Sequence, residues 1–315
     1  MRVARSFEEL GGALPVPVLT IGNFDGVHRA HQRLLARVTK EARARRGTAV
    51  AMTFEPHPVK VLAPERAAAR LTTLEQKLKL LETTGLDAVL VLPFTLELSR
   101  WSPRQFVEEF VCRRLRTEVL YVGANFRFGH RQAGDVALLG ALARELGFAL
   151  KVFPRVVVRG QTASSTLIRH LISEGKVEAA ARLLGRSYAL TGNIQAGAGR
   201  GAPLGFPTLN FAPEQECLPA RGVYITETLV DDEPFPAATN VGVRPTFGGE
   251  RLVVESHLLN FSRQVPAGRL EVRFLKRLRG EKKFPSTETL RRQIARDVAH
   301  ARRFFARRRP LARAG

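Results

Sequence analysis

The chain has 315 residues, 44% hydrophobic and 25% charged, with 50 Lys and Arg against 29 Asp and Glu and a net charge of +21. That length supports two domains with cores of their own, and the absence of any apolar run near the roughly 20 residues of a membrane span, together with an opening MRVARSFEELGGALPVP that lacks the apolar centre of a secretory signal, argues against a membrane or exported protein. Only Cys112 and Cys217 are present, without metal-ligand spacing, so no disulfide framework is expected and the expected compartment is the reducing cytoplasm.

In chain order, the first half alternates strand and helix. Strand-like runs at Pro17–Ile21, Thr48–Phe54, Ala88–Pro93, Val119–Gly123 and Ala149–Val158 are separated by helical patterns at about Arg29–Arg45, Leu74–Thr83, Pro103–Leu115 and Asp135–Leu146. Ser102 followed by Pro103 reads as an N-cap with proline at the first helical position. This alternation predicts an α/β domain with a parallel sheet covered on both faces. Ligands in such folds bind at the carboxyl ends of strands, where Gly22–His31 and Gly123–Gly129 both fall.

The pattern changes near residue 185. A helical stretch at Glu178–Leu184 ends at Gly185, and short β-type runs follow at Tyr188–Gln195, Val223–Val230, Ala237–Val243, Leu252–Phe261 and Leu270–Leu278. Five or six such runs without intervening helices predict a small antiparallel barrel. A last helix is expected from about Ser286 to Phe305, capped by Ser286, with Leu290, Ile294, Val298 and Phe305 as its apolar stripe. The expected division is residues 1–184 and 185–315. Basic residues run along the whole chain, densest at Arg302, Arg303, Arg307, Arg308 and Arg309. With no zinc-finger, RRM or aromatic-rich RNA-reading motif, specific nucleic-acid binding is not expected; the charge suits the capture of polyphosphates.

Several clusters carry chemistry. TIGNFDGVHRAHQRLL puts the turn residues Gly22, Asn23, Asp25 and Gly26 after a strand and delivers His28 and His31 one turn apart near a helix N-terminus. That end suits phosphate, and two imidazoles beside it suit charge developing on a phosphoryl group. Phe54, Pro56 and Pro58 in TFEPHP form either a rigid turn or a stiff, partly apolar wall for a planar ring. Asn125, Arg127 and Phe128 in GANFRFG repeat the theme at another strand end, where Arg127 pairs with phosphate or with a surface carboxylate. Ser164, Ser165 and Thr166, with Arg169 one turn on, read equally as N-capping or as a phosphate clamp. The glycines Gly199 and Gly201 precede LGFPTLN; with Pro203 and Pro207 following, this is neither a Walker loop nor a dinucleotide fingerprint, and alone it reads as a flexible loop.

Taken together, TIGNFDGVHxxH, TFEPHP, LTTLEQKLKLL, GxNFRFG, SSTxIR, GRGxxLGFPTxN, GVY, NVGVRPTFGG and VESHLLNF resemble, in order and through most of the chain, the prokaryotic bifunctional riboflavin kinase/FMN adenylyltransferases, or FAD synthetases. The resemblance implies an N-terminal Rossmann-like nucleotidyltransferase domain of the HxGH superfamily and a C-terminal riboflavin kinase-like barrel with a terminal helix. The substrates it implies are riboflavin, FMN and ATP, with FAD as product and Mg²⁺ as the metal. On this resemblance His28 and His31 stabilise the phosphates in the transition state, while Gly22, Asn23, Asp25, Ser164, Ser165, Thr166 and Arg169 belong to the ATP site. Phe54, Pro56, Pro58 and Phe128 would line the flavin, with Asn125 near the reacting groups. In the kinase half, Gly199 and Gly201 would approach phosphate, Thr208 and Asn210 would hold magnesium, and Glu255 would take the proton from the ribityl 5′-hydroxyl. Residues two apart on an extended segment point the same way, which suits a shared cation; Glu255 on residue pattern alone reads as a surface carboxylate paired with an arginine.

The chain departs from the family pattern at Ala30, which stands where the superfamily has glycine, and at Asn260, where the family often has Asp. A methyl at position 30 crowds the approach of the nucleotide, so the alternative to a bifunctional enzyme is a riboflavin kinase with impaired adenylylation. A basic RNA-binding protein on an enzyme-derived fold is the remote alternative.

Overall fold

The computed structural model describes residues 1–12, 14–195, 206–246, 249–261, 265 and 268–308. These cluster into two compact units, Met1–Ser165 and Thr166–Gly315.

The first unit is built on six strands: β1 (Arg2–Ala4), β2 (Pro17–Ile21), β3 (Thr48–Phe54), β4 (Ala88–Leu92), β5 (Val119–Gly123) and β6 (Ala149–Phe153). They form one sheet in the order β1-β4-β3-β2-β5-β6, and every pairing is parallel. The central strands β2 and β4 are buried along their whole length, as expected of a parallel sheet covered on both faces. One core holds Leu19, Ile21, Val50, Met52 and Leu90 with Phe106, Phe110 and Leu139. The other holds Val18, Ala49, Ala51 and Val89 with Leu34, Leu35 and Val38. From β2 the chain steps one way to β3 and β4, and β5 and β6 lie on the other side, so strand order reverses between β2 and β5. That switch point opens a crevice at the strands' carboxyl ends.

The helices of this unit are α1 (Arg29–Ala44), α2 (Pro58–Leu62), α3 (Leu74–Glu82), α4 (Pro103–Phe106) and α5 (Val136–Leu146). Thr73 caps α3 and Ser102 caps α4, each in a reciprocal box with the glutamine three residues on. Two expectations change. The helix expected over 103–115 is α-helical only to Phe106 and continues as a π-helix over Val107–Arg114. The strand expected over 149–158 ends at Phe153; Val157–Val158 (β7) instead pairs with Gln161–Thr162 (β8) in a small hairpin. Arg155 and Val156 lie between, with Ala163 N–H bonded back to Val156 at 2.9 Å.

The second unit opens within α6 (Ser165–Ser173), whose first residue closes the first unit, and continues with α7 (Val177–Leu184), β9 (Tyr188–Gln195), β10 (Leu209–Phe211), β11 (Gly222–Val230), β12 (Glu233–Thr246), β13 (Gly249–Leu258), β14 (Arg269–Gly280) and α8 (Thr287–Arg307). The six strands close a barrel in the order β10-β13-β12-β11-β14-β9, antiparallel throughout. Strand β10 carries three residues between a proline and a turn, and its brevity hid it from periodicity. Inside the barrel, the wholly buried hydroxyls of Thr226, Thr239, Ser256 and Thr228 form one chain of hydrogen bonds of 2.6, 3.0 and 2.7 Å. Each buried hydroxyl is thereby satisfied. The outer face, at Ile225 and Ala238, packs against Val298 and Ala301 of α8. Ser286 caps α8 as its sequence predicts.

Candidate active sites

The loop after β2 is tightly wound. Phe24 and Val27 have φ of 49° and 36°, beside Gly26 at 78°. A β-branched residue at positive φ is strained, and strain of this kind persists only where surrounding contacts impose it. Here the contacts come from Asp25. Its buried carboxylate accepts the N–H of Leu71 at 3.1 Å and of Thr72 at 3.3 Å, and the Thr72 hydroxyl at 3.3 Å. The Ser165 hydroxyl donates to the Asp25 carbonyl at 2.9 Å, and Gln32 Nε2 to the Val27 carbonyl at 2.8 Å. Asp25 thus ties the loop to the segment that leads into α3.

The loop delivers His28 as the N-cap of α1, without a side-chain cap bond to the first turn. His28 and His31 stack with ring centroids 3.7 Å apart and planes 18° from parallel; Phe24 meets the His31 ring edge-on at 5.4 Å. Burial holds the His31 pKa well below 6.5, reinforced by His28 and Lys77. A neutral imidazole is therefore the resting state of His31 at neutral pH. The His31 Nδ1 is buried with no hydrogen-bond partner in the described structure. Gly22 donates its N–H to the Met52 carbonyl at 3.0 Å, and the Asn23 carbonyl accepts from Thr53 Oγ1 at 3.4 Å, so both are fixed beside the end of β3.

On the β3 and β5 sides of the crevice the aromatic residues form one tier. Phe106 lies between Phe54, at 6.4 Å, and Phe128, at 5.8 Å, and Phe126 stacks on Phe128 at 5.4 Å. Phe54 and Phe128 are buried; Pro56 and Asn125 are exposed, and Pro58 is the half-buried first residue of α2. Gly129 has a φ of 72°, and a Cβ there would fall 2.7 Å from the Pro103 nitrogen, so only glycine lets this loop meet α4. Arg127 lies 3.5 Å from the Asp135 carboxylate. Ser164 and Ser165 are half-buried at the head of α6, and the same helix carries the exposed Thr166 and half-buried Arg169.

Two side chains in this unit escaped the sequence reading. Phe106 bridges the aromatic tier, and Lys77, on α3, is buried. Burial pushes the Lys77 pKa down, against the opposing pull of Glu55 and Asp25. Glu55 itself is paired with Arg70 at 2.8 Å.

In the barrel, Gly199 and Gly201 lie outside the described residues. Asn210 on β10 stands opposite Glu255 on β13, which in turn stands opposite Asn240 on β12. Cross-strand partners project to the same face, so Asn210 and Glu255 share one surface with Thr208 at its edge. The Asn210 amide nitrogen donates to the Thr208 carbonyl at 3.4 Å, which leaves Oδ1 as the amide atom suited to a hard cation. No group of three or more His, Cys, Asp or Glu side chains among the described residues forms a metal cage. The oxygen donors Thr208 and Asn210 fit magnesium, which keeps waters and substrate phosphates in its shell.

His257, two residues from Glu255, hydrogen-bonds the Pro207 carbonyl at 2.8 Å through Nδ1 and meets Phe206 edge-on at 5.5 Å. It pins the segment that carries Thr208. Beside it lies a cavity of about 480 Å³ lined by Phe206, Pro207, His257, Phe261 and, from α8, Val298 and Arg302. Its size and largely apolar walls suit a small-molecule ring system. Asn260, which also lines it, has φ of 56°, a left-handed conformation that asparagine adopts readily.

Comparison with known proteins identifies the family. The FAD synthetase family profile matches residues 13–167, and the riboflavin kinase profile residues 184–305. The bifunctional riboflavin kinase/FMN adenylyltransferase of Escherichia coli K12 is 37% identical over 93% of this chain and 94% of its own length. The protein of the same name from Haemophilus influenzae is 33% identical over 97% and 99%. Among solved structures, a chain described as a macrolide-efflux protein from Streptococcus pneumoniae superposes with a TM-score of 0.85 at 25% identity, covering 95% of this chain and 98% of that one. No helix among the described residues is long and apolar enough to cross a membrane. With two family profiles end to end and relatives matched over nearly their full length, this chain belongs to the bifunctional riboflavin kinase/FMN adenylyltransferase family.

Proposed function

We propose that the chain converts riboflavin to FAD in two ATP-dependent steps: phosphorylation to FMN by residues 185–315, and adenylylation of FMN with release of pyrophosphate by residues 1–184. The observation that carries this reading is the pairing of full-length family membership with two separate constellations, a stacked His28–His31 pair at a sheet switch point and an Asn210–Glu255 pair across a barrel.

In the first site, the FMN phosphate attacks the α-phosphorus of ATP and pyrophosphate departs. The protein supplies position and charge, with no covalent intermediate. His28 and His31 donate hydrogen bonds to phosphoryl oxygens as negative charge moves toward the leaving group, and the head of α1 adds its partial positive charge. Gly22 and Asn23 let the nucleotide approach the loop, and Asp25, committed to backbone N–H groups, holds that loop in shape. Ser164, Ser165, Thr166 and Arg169 take the triphosphate tail. The tier of Phe54 and Phe128, with Pro56 and Pro58 at its margin, faces the flavin, and Asn125 stands near the reacting groups. Ala30 is a small residue in the first turn of α1 and a good helix former, compatible with both steps.

In the second site, Glu255 accepts the proton of the ribityl 5′-hydroxyl as that oxygen attacks the γ-phosphorus of ATP. Thr208 and Asn210 would hold Mg²⁺, which supplies positive charge to the ATP phosphates. Gly199 and Gly201 belong to the phosphate-binding stretch. The cavity between His257 and α8 receives the isoalloxazine ring.

The test is a product assay with riboflavin, ATP and magnesium, products separated by chromatography. His31→Ala removes FAD but leaves FMN; Glu255→Gln removes FMN but leaves FAD formation from supplied FMN, each loss being about 100-fold or more. If neither FMN nor FAD forms with the unaltered chain, the enzymatic reading fails. FMN without FAD identifies a kinase impaired at Ala30, in which Ala30→Gly restores FAD.

A further inference from the structure

Lys77 is 6% exposed and its ammonium makes no hydrogen bond or ion pair among the described residues; the nitrogen is not among the wholly buried unpartnered atoms, so the stem is buried and the charged tip keeps a narrow opening. A largely buried cation with no direct partner is costly, and such groups are retained where an anion arrives to pair with them. Four charged or titratable groups face it. Asp25, from the loop after β2, already accepts from Leu71 and Thr72 N–H. Glu55, following β3, is taken by Arg70. Arg70, ahead of α3, adds like charge, and His31, on α1, is close enough for Lys77 to disfavour its protonation. The two carboxylates are thus engaged, and the unpaired cation stands beside a neutral imidazole with an unpartnered buried nitrogen. Its neighbour Lys79 is exposed and paired with Glu75 at 3.0 Å, so burial without a partner is particular to position 77.

We propose that Lys77 is a phosphate-binding catalytic residue of the adenylylation site, pairing with a phosphate oxygen of a substrate beside His28 and His31. This rests on the functional reading above. A phosphate there would satisfy the ammonium and share its charge with the two imidazoles, and Asp25 and Thr72 hold the head of α3 in register with the histidine loop.

The phosphate comes from the ATP side or from FMN, and two probes distinguish them: inorganic pyrophosphate and FMN, each followed by the thermal shift it produces in the full chain. Lys77→Met keeps side-chain length and removes the charge. It is expected to melt at the temperature of the unaltered protein or above it, because a buried unpaired charge is replaced by an apolar chain. It should lose the stabilisation given by one probe: pyrophosphate if Lys77 serves ATP, FMN if it serves the acceptor. FAD formation should fall about 100-fold, with riboflavin phosphorylation as the internal control, and Lys77→Arg should recover part of the loss. A Lys77→Met protein that melts lower, or that responds to both phosphates as the unaltered chain does, overturns the proposal. An unaltered chain that forms no FAD overturns the functional reading instead.

Discussion

At the scale of single residues, charge and burial set what each group does. Glu41 on α1 accepts from Arg45 Nε at 2.8 Å, Lys151 Nζ at 2.9 Å and the Tyr121 hydroxyl at 3.3 Å. Hydrogen bonds from Arg45 and then Lys151 pull its pKa from 4.5 down to about 2. A carboxyl with a lower pKa folded than unfolded adds stability that is full above pH 4.5 and disappears as pH falls toward about 2. Glu41→Gln should therefore lower the melting temperature at neutral pH, and the gap from the unaltered chain should close over that acid window. Calorimetry at stepped pH measures it; a gap independent of pH would assign the network no electrostatic role. The histidine pair was legible in sequence because strand, glycine turn and helix spacing coincide there. Lys77 was not, since LEQKLKLL shows two lysines two apart and only the packing of α3 separates the buried one from the exposed one.

At the scale of elements, α8 shows how a wall is held. Asp297 receives Arg279 Nε at 3.0 Å and Gln293 Nε2 at 2.9 Å, and the ion pair is largely buried. It fastens α8 to β14, and α8 supplies one side of the cavity beside His257. Removing one partner leaves the other charge buried, so Asp297→Ala should cost about 3 kcal/mol of barrel stability. It should also raise the KM for riboflavin more than that for ATP, as denaturation curves and initial rates would show; unchanged riboflavin KM would detach the cavity from the substrate. The capped start and apolar stripe of α8 were readable from Ser286, Ile294 and Val298. The cavity was not, because Phe206, His257 and Arg302 meet only when the barrel closes. Strands β1 and β10, three residues each, are too short for alternation to announce them.

At the scale of the whole molecule, a net charge of +21 surrounds sites for anionic substrates. Screening acts on charged ligands and spares neutral ones. Raising ionic strength about tenfold should therefore raise the KM for ATP in both reactions and leave that for neutral riboflavin nearly unchanged, which steady-state kinetics at matched magnesium can establish. Parallel rises for riboflavin and ATP would deny the field this part. The barrel carries a second global property in its hydroxyl chain. Ser256 points into the interior and its neighbour Glu255 outward, so a slip of β13 by one position would drive a carboxylate among those hydroxyls and present serine to the substrate. Misthreaded copies of this half are thus penalised by the same residue that is proposed as the base of the correctly threaded one. Mutational tolerance along β13 should accordingly be lowest for insertions and deletions, since each would cost the fold its interior and the reaction its proposed base in a single event.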